Sequence, residues 1–413
     1  MIKMSKKIKV ILDSLLVICC VFILNSIVDG NVLKTKGATL KGEEEVLKEG
    51  DKKDFFGNFS LGRRVKISAV GDIILQDEQI WSAHRKEENI YDFSSNFKYI
   101  QDFFKDSDIK YGTIEGVYGG EDIGYFGYPK YNGPDSMIDA LRGAGFNMLN
   151  IATEHALDQG LYGFKSTLEK VNKEMTALGS NGYVIKKIKG IEIGFTSYTY
   201  ESREGEINGN KIPKEASLNT FSYKNLQKDL EKMKLLVEEM KKEGADFIVF
   251  GMHWGLEYKS EPSKYQVEIA KALNEFGVDL ILGSNPHVIQ PIEEIEGEKG
   301  NKTLVAYSLG NFISNQRKET IGERKTSDGV LLEITLKKSR KGVIIDSLDY
   351  IPTWVYKIGR EDKKSDYYIL PVKETLESEE SKNLSKEVLE ELNKSLESTK
   401  EVIEKNFPLK LSK

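Results

Sequence analysis

The chain has 413 residues, enough for one large domain or two modest ones with a full hydrophobic core. It is 39% hydrophobic and 30% charged, which is ordinary for a soluble globular body. Its formal net charge of -5 argues against the basic face that nucleic-acid binding usually requires, so no nucleic-acid partner is expected.

The first 64 residues differ in composition from the rest of the chain. Lysines in residues 1–9 precede an apolar run over residues 10–28, close to the ~20 residues that span a bilayer. The end of the run, NSIVDGNV, is a poor match to the A-x-A-like pattern of a cleavage site, which favours a retained transmembrane signal anchor over a cleaved signal peptide. The lysines would stay in the cytoplasm and the body would face outward, at the cell membrane. Residues 29–64 are polar and are predicted to be a linker.

The predicted body, residues 65–372, alternates strands and helices, which indicates a layered α/β fold with helices outside. In chain order, strands are expected over residues 65–70, 109–114, 146–151, 247–253, 279–282 and 303–309. Helices are expected over residues 93–104, 134–144, 163–175, 222–243 and 263–276. Antiparallel pairs are expected over residues 184–198 and over 329–337 with 342–356. Residues 201–218 are predicted to be a loop bordering the site, and residues 373–413 a charged helical tail.

Ionisable side chains follow five of the predicted strands. The carboxyl ends of strands in open α/β sheets border the ligand crevice, so these side chains are expected at one site. Imidazole and carboxylate together suit zinc, manganese or iron. The residues are Asp72, Glu115, Glu154 with His155, His253, and His287 after a short turn.

Each of these residues has a plainer alternative when considered alone. Asp72 follows a glycine and could cap a turn. His253 could pack beside Trp254, and His287 could be a loop histidine. The placement of three of the four histidines just after strands favours a shared site. His84, in a charged stretch, is predicted to be an exposed helix residue instead.

Six motifs between residues 65 and 315 together resemble the CapA family of capsule and poly-γ-glutamate synthesis proteins. The fold of that family is similar to calcineurin-like metallophosphoesterases, with central mixed sheets flanked by helices. The motifs are AVGDIIL, TIEGV, ATEHALDQG, HWGLEY, GSNPHVIQPIE and YSLGNFI, in the expected order.

The resemblance implies a divalent metal site (Mn, Zn or Fe) and a role for each nearby residue. The expected metal ligands are Asp72, Glu115, Glu154, His155, His253 and His287. The expected catalytic residues are His253, His287 and Asn311. Trp254 and Asn285 are expected to contact substrate, and Asp158 and Glu257 to support the ligands through hydrogen bonds.

Three motifs depart from the family pattern. The family usually has Asn where this chain has Thr113, Asn where it has Glu154, and His where it has Asn285. Glu154 replaces an amide oxygen with a charged one, while Asn285 is a poorer ligand than histidine. Two-metal, one-metal and metal-free versions of the site all stay open.

The resemblance implies a membrane-anchored, outward-facing protein that supports synthesis or export of an anionic envelope polymer, poly-γ-glutamate or capsular polysaccharide. Its expected partners are the membrane, subunits of a membrane-bound synthase and the polymer. Its body would be a metal-dependent hydrolase of the phosphoesterase type. The alternative is a non-catalytic accessory that binds the polymer or a synthase subunit.

Overall fold

The computed structural model describes residues 63–298, 300–340, 342–405 and 410–411. The strands of the described residues are β1 (Arg64–Ile74), β2 (His84–Arg85), β3 (Ile90–Tyr91), β4 (Ile109–Glu115), β5 (Met148–Asn150), β6 (Thr176–Leu178), β7 (Val184–Ile188), β8 (Ile191–Tyr200), β9 (Glu206–Ile207), β10 (Asn210–Lys211), β11 (Thr220–Phe221), β12 (Phe247–His253), β13 (Leu280–Ser284), β14 (Ile292–Glu296), β15 (Lys302–Ala306), β16 (Asn311–Ile313), β17 (Asp328–Ser339), β18 (Gly342–Gly359), β19 (Ser365–Pro371) and β20 (Lys410–Leu411). The α-helices are α1 (Asp77–Ala83), α2 (Ser136–Gly143), α3 (Gly160–Asn172), α4 (Leu226–Lys242), α5 (Lys264–Phe276), α6 (Lys318–Ile321), α7 (Val372–Glu377) and α8 (Lys386–Glu404).

Two large mixed sheets form the centre of the described residues. The first has the order β19-β18-β17-β1-β4-β5-β6, with β16 beside β1 and β20 beside β18. The second has the order β11-β8-β12-β13-β15-β14, with β7 beside β8. The strands β1, β4 and β5 are parallel, as are β8, β12, β13 and β15, so each sheet gathers its strand ends at one edge.

The two sheets pack face to face, with helices on both outer faces. Strand β12 shows why the sequence requires this arrangement: its alternate side chains are buried on opposite faces of the sheet. Phe247 and Val249 lie in the core between the sheets, whereas Ile248 and Phe250 pack against α4 and α5. On the other outer face, α2 and α3 cover the first sheet. The predicted layered α/β fold with mixed sheets flanked by helices is confirmed.

Helix α5 illustrates how local sequence sets an element's ends. The Ser263 side chain accepts a hydrogen bond from the Gln266 backbone N–H. The Gln266 side chain accepts one from the Ser263 backbone N–H, and the two bonds form a capping box. Gly277 ends the helix in the left-handed conformation, with φ 85°. The predicted helix over residues 263–276 is therefore confirmed almost to the residue.

Some predicted elements differ from the structure. Residues 93–104 were expected to form one helix, but two short 3₁₀ helices, Ser94–Phe97 and Gln101–Phe104, lie there instead. Their buried aromatic side chains still pack on the first sheet, which explains the helical spacing in the sequence. His84, expected on a helix, lies in the short strand β2 and stacks on Tyr91, with ring centroids 4.6 Å apart.

The chain beyond residue 372 packs on the body through α7 and α8. Leu392 of α8 is buried with Trp354, Leu370 and Val372. The Ser398 hydroxyl donates to Asp328 Oδ2 at 3.1 Å, which places a polar contact beside the apolar one. The amphipathic spacing of this segment therefore serves packing within the chain.

The predicted anchor over residues 10–28 lies outside the described residues, as do residues 1–9 and residues 29–62 of the predicted linker. None of the helices in the described residues combines the length and the apolar character needed to cross a bilayer.

Candidate metal centre

The carboxyl ends of strands from both sheets meet at one buried cluster. Strand β1 contributes Asp72, β4 contributes Glu115, and β12 contributes His253. The turns after β5 and β13 contribute the remaining predicted ligands, Glu154, His155 and His287. All six predicted metal ligands are thus brought together, and each is buried.

A close approach of two backbone segments places Asp72. Its N–H donates to the Gly310 carbonyl at 2.9 Å, and Asp72 pairs with Asn311 of β16. A Cβ on Gly71 would lie 1.9 Å from the Gly310 oxygen, so only glycine allows this contact.

Glu115 lies at the centre of the cluster. Its Oε2 is 3.7 Å from His253 Nε2, and its Oε1 is 3.6 Å from His287 Nε2 and 4.0 Å from His155 Nε2. Two groups of potential ligand atoms share Glu115, each lying within 4.8 Å of one another. The first group is Asp72, Glu115 and His253; the second is Glu115, Glu154 and His155.

His253 is held from two sides. Its Nδ1 is 2.8 Å from Ser284 Oγ, and its Nε2 makes a close contact with Glu154 Oε2. Asp72 Oδ1 is 3.9 Å from Nδ1 of the same ring. Glu154, which stands where an asparagine was expected, thus forms a direct carboxylate–imidazole pair across the cluster.

His287 lies between Asp72 and Asn311. Its Nδ1 is 3.3 Å from Asp72 Oδ2 and 3.2 Å from Asn311 Oδ1. The Asn311 amide group donates to Gln316 Oε1 and the Thr326 carbonyl, so both of its N–H bonds are used within the protein. Asn311 was expected to be a catalytic residue; in the structure it lies behind His287, where it orients that ring.

His155 is oriented by Asp158, as the sequence predicts. Asp158 Oδ2 lies 2.7 Å from His155 Nδ1, which leaves Nε2 directed towards Glu115 and Glu154. Asp158 also accepts hydrogen bonds from the Tyr131 backbone N–H and from Asn208 Nδ2 at 2.9 Å each. Asn208 belongs to the β9–β10 hairpin, so the segment predicted to border the site does reach it.

Replacing Asn208 with alanine is expected to lower the affinity for Mn²⁺ or Zn²⁺ about tenfold, because partners behind metal-ligating histidines typically contribute 10–100-fold. The variant loses one of the donors that fix Asp158 and, through it, His155. Titration calorimetry measures the change, with Lys211→Ala on the same hairpin as the control. Equal affinities in the two variants would show that the hairpin does not orient the site.

Burial and mutual repulsion shape the charges of the cluster. Burial raises the pKa of the Glu115 carboxyl well above its usual range, and the charges of Glu154 and Asp72 raise it further. Burial also acts to raise the pKa of Glu154, but the charge and hydrogen bond of His253, with the charge of His155, outweigh it and hold that pKa far below its usual range. Glu115 therefore tends to hold a proton while Glu154 is ionised.

The pKa values of two histidines are raised. Burial alone would lower the pKa of His155, but its hydrogen bond to Asp158 and the charge of Glu154 outweigh burial. The same opposition acts on His287, where the hydrogen bond and charge of Asp72 prevail. The surrounding carboxylates thus favour positive charge at the cluster.

The donor set fits a divalent cation. Asp72 Oδ1 and Glu115 Oε2 are buried and have no hydrogen-bond partner in the described residues. An unpaired buried carboxylate oxygen is unfavourable, and a cation satisfies it. Carboxylate and imidazole together suit manganese, iron or zinc. The Asn285 Oδ1 atom is also buried without a partner and is a further candidate ligand.

Three other predicted residues, Trp254, Glu257 and Asn285, make contacts within the protein that differ from those expected. Trp254, expected to contact substrate, is fully buried among core side chains, and its Nε1 donates to the Tyr307 carbonyl at 2.9 Å. Glu257, expected to hold a ligand histidine, is exposed, and burial together with the Glu257 charge raises the pKa of Tyr258 beside it. Asn285, expected to contact substrate, donates from its side chain to the Trp254 carbonyl and from its backbone to Asp72 Oδ2.

Several site residues were missed by the sequence reasoning. The strand pattern could have identified Ser284, because this residue ends β13 and lies beside His253. Asn208 and Tyr131 come from loops, where periodicity carries no signal. Tyr131 packs edge-on against His155, with ring centroids 4.6 Å apart.

One protein-family model matches the segment of the chain that contains this site. The model of the family described as bacterial capsule synthesis protein PGA_cap matches residues 66–316, more than half of the chain. The chain belongs to this family. The matched segment contains every cluster residue described above, from Asp72 to Asn311, which confirms the family resemblance predicted from the motifs.

Two curated relatives are similar to this PGA_cap chain. The PGA biosynthesis protein CapA of Bacillus subtilis (strain 168) is 31% identical over 266 residues, which cover 60% of this chain and 63% of the relative. The capsule biosynthesis protein CapA of Bacillus anthracis is 28% identical over 302 residues, covering 70% of this chain and 67% of the relative. The match therefore spans about two thirds of each relative.

Among solved structures, the calcineurin-like phosphoesterase YfkN from Bacillus subtilis aligns with 70% of this chain and 91% of its own. The TM-score is 0.38 at 12% identity.

Proposed function

We propose that this PGA_cap protein supports the synthesis or export of an anionic envelope polymer, poly-γ-glutamate or capsular polysaccharide, and that its body is a metal-dependent hydrolase of the phosphoesterase type. The metal-dependent hydrolase activity is supported by one observation: two groups of potential ligands share Glu115, and two buried carboxylate oxygens in them have no hydrogen-bond partner in the described residues. The role in polymer synthesis or export is supported by the two CapA relatives, which are a PGA biosynthesis protein and a capsule biosynthesis protein.

Asp72, Glu115 and His253 would hold one divalent cation (Mn, Zn or Fe), and Glu115, Glu154 and His155 could hold a second. Such a cation lowers the pKa of a bound water and polarises a phosphoryl or acyl group. His287 lies beside both groups, and its Nε2, 3.6 Å from Glu115 Oε1, is placed to hold or deliver a proton. Asn311 fixes the orientation of that ring from Nδ1.

A second candidate function is a non-catalytic accessory that binds the polymer or a synthase subunit. The close contact between Glu154 Oε2 and His253 Nε2 favours it, because this contact engages a nitrogen that would otherwise ligate metal. The two candidates differ in whether the purified protein turns over a substrate.

The proposed location is the outer side of the cell membrane, with the apolar run over residues 10–28 as the anchor and synthase subunits as neighbours in the membrane. This part of the proposal is supported by the sequence alone, through the lysines before the run and its length.

The test is elemental analysis of the full-length chain, purified without chelator, beside a His253→Ala, His287→Ala double variant. Both are assayed on a generic phosphodiester with Mn²⁺, Zn²⁺ or Fe²⁺. We expect at least one equivalent of metal and measurable hydrolysis in the parent, and the loss of both in the variant. Metal without hydrolysis would support the accessory role, and a folded parent with neither would overturn the metal proposal.

A further inference from the structure

One carboxylate joins the two groups of potential ligands. Glu154 belongs to the second group, and its Oε1 atom lies 3.9 Å from Nε2 of His155, another member of that group. Its Oε2 atom instead makes the close contact with Nε2 of His253, which belongs to the first group. Among the described residues, these two histidines are the ion-pair partners of the Glu154 side chain. A change at one group therefore reaches the other through Glu154.

The Glu154–His253 contact covers the nitrogen that His253 would offer to a cation. The Nδ1 atom of His253 lies 2.8 Å from Ser284 Oγ, a hydrogen bond of the kind that the non-ligating nitrogen of a metal-bound histidine usually makes. Nε2 is therefore the nitrogen left for the first group, where Glu115 Oε2 lies 3.7 Å away. Because Glu154 occupies this position, the first group is complete only when Glu154 has moved off His253.

Releasing Glu154 without replacing its partner is unfavourable. Its side chain is only 8% exposed, and a buried carboxylate that loses its partner pays a desolvation cost that nothing offsets. If His253 alone turned to a cation, Glu154 would be left with the more distant His155. If Glu154 also joined a cation in the second group, both partners of the broken contact would be satisfied. Filling each group therefore lowers the cost of filling the other.

Glu115 can serve both groups at the same time. Its Oε2 atom faces His253, whereas its Oε1 atom lies 4.0 Å from Nε2 of His155. Filling one group does not use the oxygen that the other group needs. The two carboxylates thus have opposite effects: Glu115 connects the groups when both are filled, and Glu154 connects them when both are empty.

We propose that the Glu154–His253 contact makes the cluster take up two divalent cations together rather than one at a time. This inference deepens the proposed function and rests on its metal site. The contact is made when both groups are empty, and it is broken when His253 and Glu154 each ligate a cation. A chain with one cation has lost the contact without gaining the second ligation, so this state is sparsely populated.

The inference predicts how many chains hold a single cation. At an average of one bound cation per chain, two independent sites leave about half of the chains or more with one cation, whatever their affinities. For the full-length chain, stripped with chelator and titrated with Mn²⁺ to this average, we expect less than half. A tenfold positive coupling gives about one chain in four. Native mass spectrometry counts the chains that hold no, one and two cations.

Two matched variants test whether the Glu154–His253 contact is the cause. Glu154→Ala and His155→Ala each remove one ligand of the second group, so each should hold one equivalent of Mn²⁺ by elemental analysis. Only Glu154→Ala frees His253 Nε2. We expect it to bind Mn²⁺ about tenfold more tightly than His155→Ala, because hydrogen bonds to charged groups contribute this much. Charge alone predicts the reverse order, since only Glu154→Ala removes a carboxylate. Titration calorimetry measures both affinities.

The outcomes separate the inference from the proposed function. If the parent binds Mn²⁺ but half or more of its chains hold one cation, the inference is wrong and the metal site stands. The same conclusion follows if His155→Ala binds Mn²⁺ as tightly as Glu154→Ala, or more tightly. A parent that binds no Mn²⁺ overturns the proposed metal site, and the inference fails with it. The Tm of each variant with chelator shows whether it is folded, and the parent's distribution tests the inference even if a variant is not.

Discussion

Glu115→Gln is expected to lower the affinity for Mn²⁺ or Zn²⁺ by more than about 100-fold, the upper end of the range for residues that only support a ligand. Glu115 is the one residue shared by both ligand groups, and it lies within 4.0 Å of all three cluster histidines. A glutamine keeps the shape but loses the charge that a cation requires. Elemental analysis and titration calorimetry of the full-length chain measure the loss.

The same change should leave the protein folded without metal. Burial and the charges of Glu154 and Asp72 raise the pKa of Glu115, so a neutral side chain is already favoured there. We expect the Tm of the Glu115→Gln variant, measured with chelator at pH 8, to equal or exceed that of the parent. Glu257→Gln, at the exposed side of the site, is the control and should keep full metal affinity. A variant that binds metal like the parent would remove Glu115 from the ligand set.

The second large effect is the pH dependence of metal binding. Without a cation, the raised pKa values of His155, His287 and Glu115 keep protons on these groups to a higher pH than in the unfolded chain. Their contribution to stability is fully present at low pH and is lost as the pH rises through the raised values. Metal binding requires the deprotonated ligands, so the affinity for the metal rises as the pH rises.

The thermal stabilisation produced by Mn²⁺ should therefore grow between pH 6 and pH 8. If metal binding displaces one proton, the affinity for the metal rises up to about tenfold for each pH unit. This holds only in the pH range where the metal-free group is still protonated. Calorimetric melting with and without metal at the two values measures the effect. His84→Ala should show the parent's profile, since His84 lies outside the cluster. An equal Tm increase at both pH values would contradict the coupling.

The sequence was sufficient to locate the cluster because strand ends carry a strong signal. Asp72, Glu115 and His253 each end a buried apolar run, and the parallel order of β1, β4 and of β12, β13 brings those ends together. Asp158 was expected beside His155 because the motif ATEHALDQG resembles the family pattern, and the two side chains are 2.7 Å apart. These are local patterns that survive in any layered α/β arrangement.

The sequence could not tell on which side of the strand end a neighbouring residue would fall. Trp254 follows His253 directly, yet its ring lies in the core against Tyr307 while His253 lies in the cluster. Asn311 was expected to be catalytic from its motif, and only the structure shows that its amide donates hydrogen bonds to Gln316 and Thr326, which turn the side chain inward. Only tertiary contacts decide these orientations.

Residues on loops were beyond the sequence for a different reason. Asn208 reaches Asp158 from a hairpin 50 residues away, and its local pattern of glycines and polar residues resembles any surface turn. Strand β19 and helix α1 were also missed, because Ser365–Pro371 and Asp77–Ala83 are short and carry no clear period. Their positions depend on the sheet edge and on the α1–β19 contact, which a linear pattern does not contain.

The pairing of β1 with β16 also fixes when during synthesis the cluster can exist. Asp72 is one of the first body residues to be made, yet it lies beside Asn311, which follows 239 residues later. At typical rates of translation this interval lasts roughly 10–50 s. A nascent chain that ends before His287 has the early carboxylates without the full set of imidazoles. A cation that needs the complete cluster can therefore be held only after His287 has been made, late in the synthesis of the body.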